Sequence, residues 1–468
     1  MNSISFNELS RVTTILGVNN VEPNDSFDYV RIVFLNNKNY EDEVDNTLYF
    51  PTYTTEAEAN DAWYIKPFDS RPYINNIMLK HPKATIVIEP NMVENADKNG
   101  RFVVVPNIRK AIDDLFEYRK SKSKASTIAI TGSVGKTTCV GLIESILKQK
   151  YKVLRVYSKR ITPALLEAYI INFLNEDHDY IVLENSIYYH DHVKILSNML
   201  KPDIAGILNI SSSHMGIEKL DSLDSICKYK AEIFGNAKIG FINENDEHLK
   251  ELYTKDGYLY YKGEQILKNP NLTLRNLDLN EVSIDKENFV FGDNLVVKPF
   301  ILSKLSKVQY QMAYKIAQTL ELSLEEIKKG MDLYIPVENR LQTEHAFGKE
   351  IIFDGDVTTY ERMQELSDTM YETKYLVLRK VGSAENTYRI KNIKDHFKKF
   401  KKVFIFNDIE YLDELKDGDN VEIVSNHDFM KDLNGTIIYH YSGFFRSFDT
   451  FSEKNITIYD YEKYKIIK

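Results

Sequence analysis

The stretch AITGSVGKTT, residues 129–138, sets a lysine and two threonines behind a glycine turn, between an apolar strand and the helical run CVGLIESILKQ. Those residue types in that order handle phosphate. Backbone amides of Gly132, Ser133, Val134 and Gly135, with the positive end of the helix, donate to phosphate oxygens; Lys136 adds a positive charge and the Thr137 hydroxyl can ligate magnesium. The commoner spelling G-x-x-x-x-G-K-[ST] has one more glycine, and Ile130 stands in its place. A chance glycine turn is the bland alternative, and the flanking strand and helix argue against it.

Further acidic and basic groups fall where such a sheet presents its loops. The strand DYIVLEN ends in Glu184 at the carboxyl edge of the sheet, where α/β proteins place ligands, and a carboxylate there can hold a hard cation. AGILNISSSHMG brings Asn209 and His214 to the same edge. Taken singly, His214 reads as an ordinary loop histidine and Glu184 as a helix cap; the shared location favours a site. Lys230, in DSICKYKAEIF, lies on a helix, and spacing alone favours a solvated helix face for it.

The elements that must position these groups alternate regularly. From Ser126 the order is strand TIAIT, loop, helix, strand KVLRVY, helix PALLEAYIINFL, strand YIVLEN, helix HDHVKILSNML and strand IAGILNI, which predicts a parallel sheet covered by helices. Strand and turn signals follow in TLRNLDL and ENFVFGDNLVVKPF, then a helical pair in SKVQYQMAYKIAQTLELSLEEIKKGM. Before this region, VRIVFL, ATIVIEP and RFVVVP alternate with helical stretches, and after it KEIIFDGD, KYLVLRK, KVFIFND, NVEIVSN and TIIYHY do the same. The fold class is therefore α/β in three domains. The hydrophilic run YRKSKSKAS and the segment YIPVENR place the boundaries, giving 1–122, 123–336 and 337–468. A solvated helix end fits the first of those runs equally well.

Composition sets outer limits. A chain of 468 residues exceeds one compact core, and its 43% hydrophobic and 28% charged residues are those of a soluble globular protein. No apolar run reaches the roughly 18 residues that a membrane span needs, and the first residues lack the features of a secretory signal, so a cytoplasmic protein is expected. Cys139 and Cys227 are too few for a disulfide framework or a cysteine-built zinc site. A net charge of -9 disfavours nonspecific nucleic-acid binding. No N-K-x-D guanine motif is present, which argues against a regulatory GTPase.

In their order, ITGSVGKTT, VLEN, KPDIAGILNISSSHMG, KYKAEIF and FINENDE resemble the central domain of the Mur ligases, the ATP-dependent amide-bond enzymes of cell-wall precursor synthesis. The family's short loop T-G-x-x-G-K-T accounts for Ile130. Within the family the similarity is greatest to the branch that adds D-alanyl-D-alanine to a UDP-muramoyl tripeptide. It is specific between residues 128 and 345 and fainter outside, and the third domain is divergent.

The resemblance implies ATP and magnesium, with two ions in the family's site. It implies that Lys136 and Thr137 grip the β- and γ-phosphates and magnesium with Thr138 beside them, and that Glu184 and His214 ligate a second magnesium. It implies that Lys230 is the lysine carbamylated in many members, that Asn209 lies at the nucleotide base, that Arg340 reaches the phosphates from the third domain, and that Asp354 lies near the ATP ribose. The partners implied are a small-molecule carboxylate, UDP-sugar-linked in the wall enzymes, and an amino acid or peptide amine. Departures are specific. DGDVTTYERM replaces the patterns D-D-S-Y-N-A-N-P or D-G-A-H-N-P, and Ser306 and Gln309 stand at the asparagines of the adenine-holding H-N-x-x-N helix start. The sequence FDSRPYINN carries D-S-R later than the family's uridine motif. Two other readings therefore stand beside the wall ligase: a Mur-like ligase joining amino acids to another carboxylate, such as a sugar acid, a cofactor or a polyglutamate, and a nucleotide-binding relative that makes no bond.

Overall fold

In the computed structural model the described residues are 3–33, 46–52, 69–156, 161–212, 215–216, 219–336, 341–346, 349–355, 358, 360–381 and 392–442. Three larger sheets organise them. The first contains β1 (Gly17–Asn19), β2 (Tyr29–Val33), β3 (Thr47–Pro51), β4 (Thr85–Ile88) and β5 (Arg101–Val104), in the order β1-β5-β4-β3-β2, with β1 antiparallel and the rest parallel.

Apart from its exposed edge strand Thr273–Leu277, the second sheet is built of short apolar runs mostly buried on both faces, the signature of a parallel sheet between helices. They are β6 (Ser126–Thr131), β7 (Val153–Val156), β8 (Tyr180–Glu184), β9 (Ile204–Ile207), β10 (Ile239–Asn243) and β11 (Thr273–Leu277). Their order is β11-β10-β9-β6-β8-β7, all parallel. The chain leaves β6 toward β7 on one side and leaves β9 toward β10 on the other. The carboxyl ends of β6 and β9 therefore flank a topological switch point, the crevice in which open α/β sheets bind ligands.

The third sheet holds β12 (Gln342–Ala346), β13 (Lys349–Asp354), β14 (Lys374–Lys380), β15 (Lys402–Phe406), β16 (Val421–Val424) and β17 (Thr436–Tyr441), ordered β12-β13-β17-β14-β15-β16. Only β12 is antiparallel to its neighbour.

Helices begin where side chains satisfy their free amides. Helix α1 (Ile108–Lys122) is capped by Asn107, and it contains Tyr118–Lys122, the basic part of the run read as a polar link. Helix α2 (Lys136–Leu147) follows the glycine turn; α3 (Pro163–Phe173) starts with Thr162 as cap and proline in its first turn. After α4 (His192–Leu200), helices α5 (Leu223–Ala231), α6 (Lys304–Thr319) and α7 (Leu324–Asp332) each open on a serine capping box. Helix α7 lies so close to α2 that a Cβ on Gly330 would come within 2.3 Å of the Ile146 Cα.

One apolar core runs from Leu48 and Val103 of the first sheet through Ile112 and Leu166 to Leu183 and Ile207 of the second. Helices α1 and α3 carry it across, and polar bonds accompany it: the Asn172 side chain accepts from Val30 N–H at 2.7 Å and donates to Val30 C=O at 2.8 Å, as a neighbouring strand would. Arg109 pairs with Glu167 at the same junction. A second core, with Val140, Ile143 and Ile316, covers the opposite face of the middle sheet, and a third centres on Ile351, Leu376 and Ile438. No helix among the described residues is long and apolar enough to cross a membrane.

Candidate nucleotide and metal site

The β6 strand delivers its chain to the switch point, and Gly135 turns it into α2. Gly135 has φ +85°, a left-handed conformation that suits glycine, and a Cβ there would meet Gln309 Nε2 at 2.4 Å. Helix α2 begins at Lys136, so its positive end lies at the carboxyl end of β6, at the switch point. An anion fits there.

Thr137, on the first turn of α2, donates its hydroxyl to Glu184 Oε2 at 2.8 Å, and both side chains are buried. The apolar β8 strand holds Glu184 at its carboxyl end, beside β6, in register with Ile130. A hydroxyl and a carboxylate in contact are hard oxygen donors of the kind magnesium takes. Lys230 comes to the same place from α5. It is fully buried, against the solvated position that spacing favours, and its Nζ donates to the Gly132 carbonyl at 2.9 Å. Burial, with the Lys136 ammonium adding to it, holds the Lys230 amine well below the usual lysine range. Lys136 Nζ donates to that same Gly132 oxygen at 2.9 Å and to Ser133 O at 3.1 Å.

Asn209, expected at the nucleotide base, turns its amide to the phosphate loop. Its Oδ1 accepts from Ser133 N–H and Val134 N–H, each at 3.0 Å, and its Nδ2 donates to Val134 O at 3.0 Å. Those loop amides are therefore engaged with Asn209. His214 and Arg340 lie outside the described residues. Among the described residues no group of three histidine, cysteine or acidic side chains is arranged for a metal ion. Thr137 and Glu184 fit a hard cation; Lys230 as an amine does not, and would need conversion to an anion to join them.

Asp354, expected near the ribose, is fully buried at the end of β13. Arg362 Nε donates to both of its carboxylate oxygens at 3.0–3.1 Å, and His440 Nδ1 lies 2.8 Å from Oδ2. Burial opposes its charge, yet the Arg362 guanidinium and His440 hold the carboxyl well below the usual range. Thr358 bonds the other ring nitrogen of His440 at 2.8 Å, and Arg362 also pairs with Glu365. Sequence reasoning missed this network; the one signal was an ionisable residue, His440, inside the apolar strand TIIYHY.

Ser306 and Gln309 are spent on structure as well. The Ser306 hydroxyl donates to Ile301 O at 2.6 Å within the α6 capping box, and Gln309 Nε2 donates to Gly135 O at 3.0 Å, bracing the phosphate loop from below. In the D-S-R stretch, Arg71 binds Asp69 through Nε and Nη2 at 2.8 and 2.7 Å. The two cysteines are buried thiols, Cys139 and Cys227.

The chain resembles known proteins in sequence and in fold. Residues 130–283 match the Mur ligase middle domain. The UDP-N-acetylmuramoyl-tripeptide--D-alanyl-D-alanine ligase of Borreliella burgdorferi is 28% identical over 239 residues, covering 49% of each chain. The protein of the same name from Rickettsia prowazekii is 32% identical over 207 residues, covering 44% of this chain and 42% of its own. The chain thus spans about half the length of the curated relatives it matches. Among solved structures, MurF from Acinetobacter baumannii superposes with a TM-score of 0.70 at 15% identity, over 95% of this chain and 96% of that one. MurF from Thermotoga maritima, in complex with ADP, gives 0.65 at 16% identity, over 89% and 94%. At those identities the likeness shows the fold. The resemblance to the Mur ligases, and within them to the D-alanyl-D-alanine-adding branch, is borne out.

Proposed function

We propose that the chain is an ATP-dependent, ADP-forming ligase that joins a carboxylate to an amine, with a UDP-muramoyl tripeptide and D-alanyl-D-alanine as its first candidate substrates. The observation that carries this reading is the meeting of Thr137, Glu184 and Lys230 around one phosphate loop at the switch point of the middle sheet. A carboxylate oxygen attacks the γ-phosphorus and ADP leaves; the amine nitrogen then attacks the acyl carbon, inorganic phosphate leaves and the nitrogen gives up a proton. No protein side chain becomes covalent. Lys136 and the α2 amides bind and neutralise the transferred phosphoryl group, which is most of what such a reaction asks of a protein. Thr137, Glu184 and His214 would hold magnesium, which supplies Lewis-acid charge neutralisation when bound. Lys230, whose burial favours the uncharged amine, would join them as its carbamate, formed with carbon dioxide and loss of a proton.

In this reading residues 1–122 bind the carboxylate substrate, 123–336 bind ATP, and 337–468 form a lid that presents Arg340. The enzyme works in the cytoplasm. A second reading keeps the reaction and changes the substrates, to a Mur-like ligase outside the wall pathway. What favours it is the Asp354 network, whose carboxylate is bonded within the protein. The test is phosphate release from ATP and magnesium with panels of acids and amines. Release that needs both the tripeptide and D-alanyl-D-alanine supports the first reading; release with other pairs supports the second; release dependent on no acid and no amine overturns both.

A further inference from the structure

The third sheet is tied to the middle domain at a second place besides the point where the chain crosses between them. The crossing falls between α7 and β12, after Asp332 and before Gln342. The second tie joins residues 300–303, which lead into α6, to residues 369–371, which follow the helix Tyr360–Ser367. Ser303 and Thr369 pair there as an isolated antiparallel bridge. Beside them Met370 N–H donates to Leu302 O at 2.8 Å, and Leu302 N–H donates to the Tyr371 hydroxyl at 3.2 Å.

The packing is reciprocal. Ile301 precedes α6 in the chain, yet it is fully buried in the core of the third sheet, with Ile351, Leu376 and Ile438. Met370 in turn packs against the core that holds Val140 and Ile316, and Phe300 and Tyr371 pack against both cores. Parting the two domains here would expose Ile301 to water and strip Leu302 of both its backbone partners, so the tie resists opening. It also adjoins the phosphate loop. Ser303 caps α6, and a Cβ on Gly135 would meet Leu305 Cδ1 of that helix at 3.2 Å, as well as Gln309. A rotation about the tie moves the rest of the third domain while α6 stays at rest against the loop.

We propose that residues 300–303 and 369–371 are the fixed pivot of the third domain, kept paired while that domain turns over the nucleotide. This rests on the lid in the reading given above and adds where the lid is hinged. The pivot is a non-covalent seat built from two distant segments, in addition to the covalent link between α7 and β12.

The geometry offers a direct test. The Met370 bond falls to the residue before Ser303, so Ser303 and Thr369 form a non-hydrogen-bonded pair, with Cα atoms about 4.5 Å apart, within the span of a disulfide. The experiment is small-angle scattering of the full chain carrying both Ser303→Cys and Thr369→Cys, oxidised and reduced, with and without ATP, magnesium and the UDP-muramoyl tripeptide. The reduced form is the reference for any effect of the substitutions themselves. With a fixed pivot the oxidised form shows the same fall in radius of gyration as the reduced one. An oxidised form held at its ligand-free dimensions while the reduced form compacts overturns the pivot and leaves the lid. Absence of compaction in the wild type removes the lid, and the pivot with it. If the double variant does not fold, hydrogen exchange of the wild type decides. The Leu302 and Met370 amides stay equally protected with and without the ligands if the pivot is fixed, and faster exchange on ligand binding overturns it.

Discussion

Lys136 and Lys230 share one acceptor, the Gly132 carbonyl, and the sharing separates their roles. Lys136 stands at the start of α2, where the proposed phosphate would lie; Lys230 is fully buried. Lys136→Ala is therefore expected to lower turnover by about 10²–10³-fold with the fold intact, since it removes a charge and leaves no apolar hole. Phosphate release at the wild-type rate would remove the nucleotide reading. Lys230 makes a different claim. A buried ammonium there would repel a cation, whereas a carbamate offers two oxygens. Wild-type activity should fall when dissolved carbon dioxide is stripped and return with bicarbonate, Lys230→Ala should be nearly inactive, and short carboxylates should restore part of it. Full turnover by Lys230→Ala would make this lysine a structural brace of Gly132.

At the scale of elements, the junction of α1 and α3 carries a testable charge. Burial pushes the Glu167 carboxyl up to about 7, from a reference of 4.5, although Arg109 pulls the other way. A carboxyl raised in the folded state makes its ionisation oppose folding: the penalty is absent below the unfolded value and fully present above the folded one. Glu167→Gln, which keeps the uncharged form at all pH, should thus gain stability over wild type as pH rises from 4.5 to above 7. At pH 8 the gain should be about 1–3 kcal/mol, and near pH 4 it should vanish. Urea unfolding at both pH values measures it; an equal change at the two would show that the ion pair with Arg109 offsets burial, and a smaller gain at pH 8 than at pH 4 that it outweighs burial. The same junction, with Asn172 paired to Val30, ties the first sheet to the second by one shared core.

For the whole molecule the expected motion therefore lies between the second and third sheets. If residues 337–468 close over ATP, small-angle scattering should show compaction with ATP and acceptor bound, and Arg340→Ala should lower turnover more than ATP affinity. An unchanged scattering profile at saturating ligand would speak against a closing lid. Closure would also serve the chemistry, because an acyl phosphate left open to water hydrolyses. The superposition of nearly the entire chain on MurF structures gives the same succession of sheets a precedent in fold.

The order of strands and helices was legible in the sequence because apolar runs, caps and glycine turns are local: STIAIT, SVGKTT and LSLEEIKKGM fix their own conformations through burial pattern and backbone freedom. The phosphate loop and the position of Glu184 at a sheet edge followed from that order. Other properties were decided by packing between distant segments. Lys230 reads as a surface residue until α5 is laid against the switch point, and nothing in the sequence shows that the Asn209 amide bonds Ser133 and Val134. Asp354 looks available until Arg362 and His440, eight and eighty-six residues away, take its oxygens. A side chain's neighbours decide whether its polar atoms face a ligand or the protein's own backbone, and those neighbours are set only when the sheets have closed.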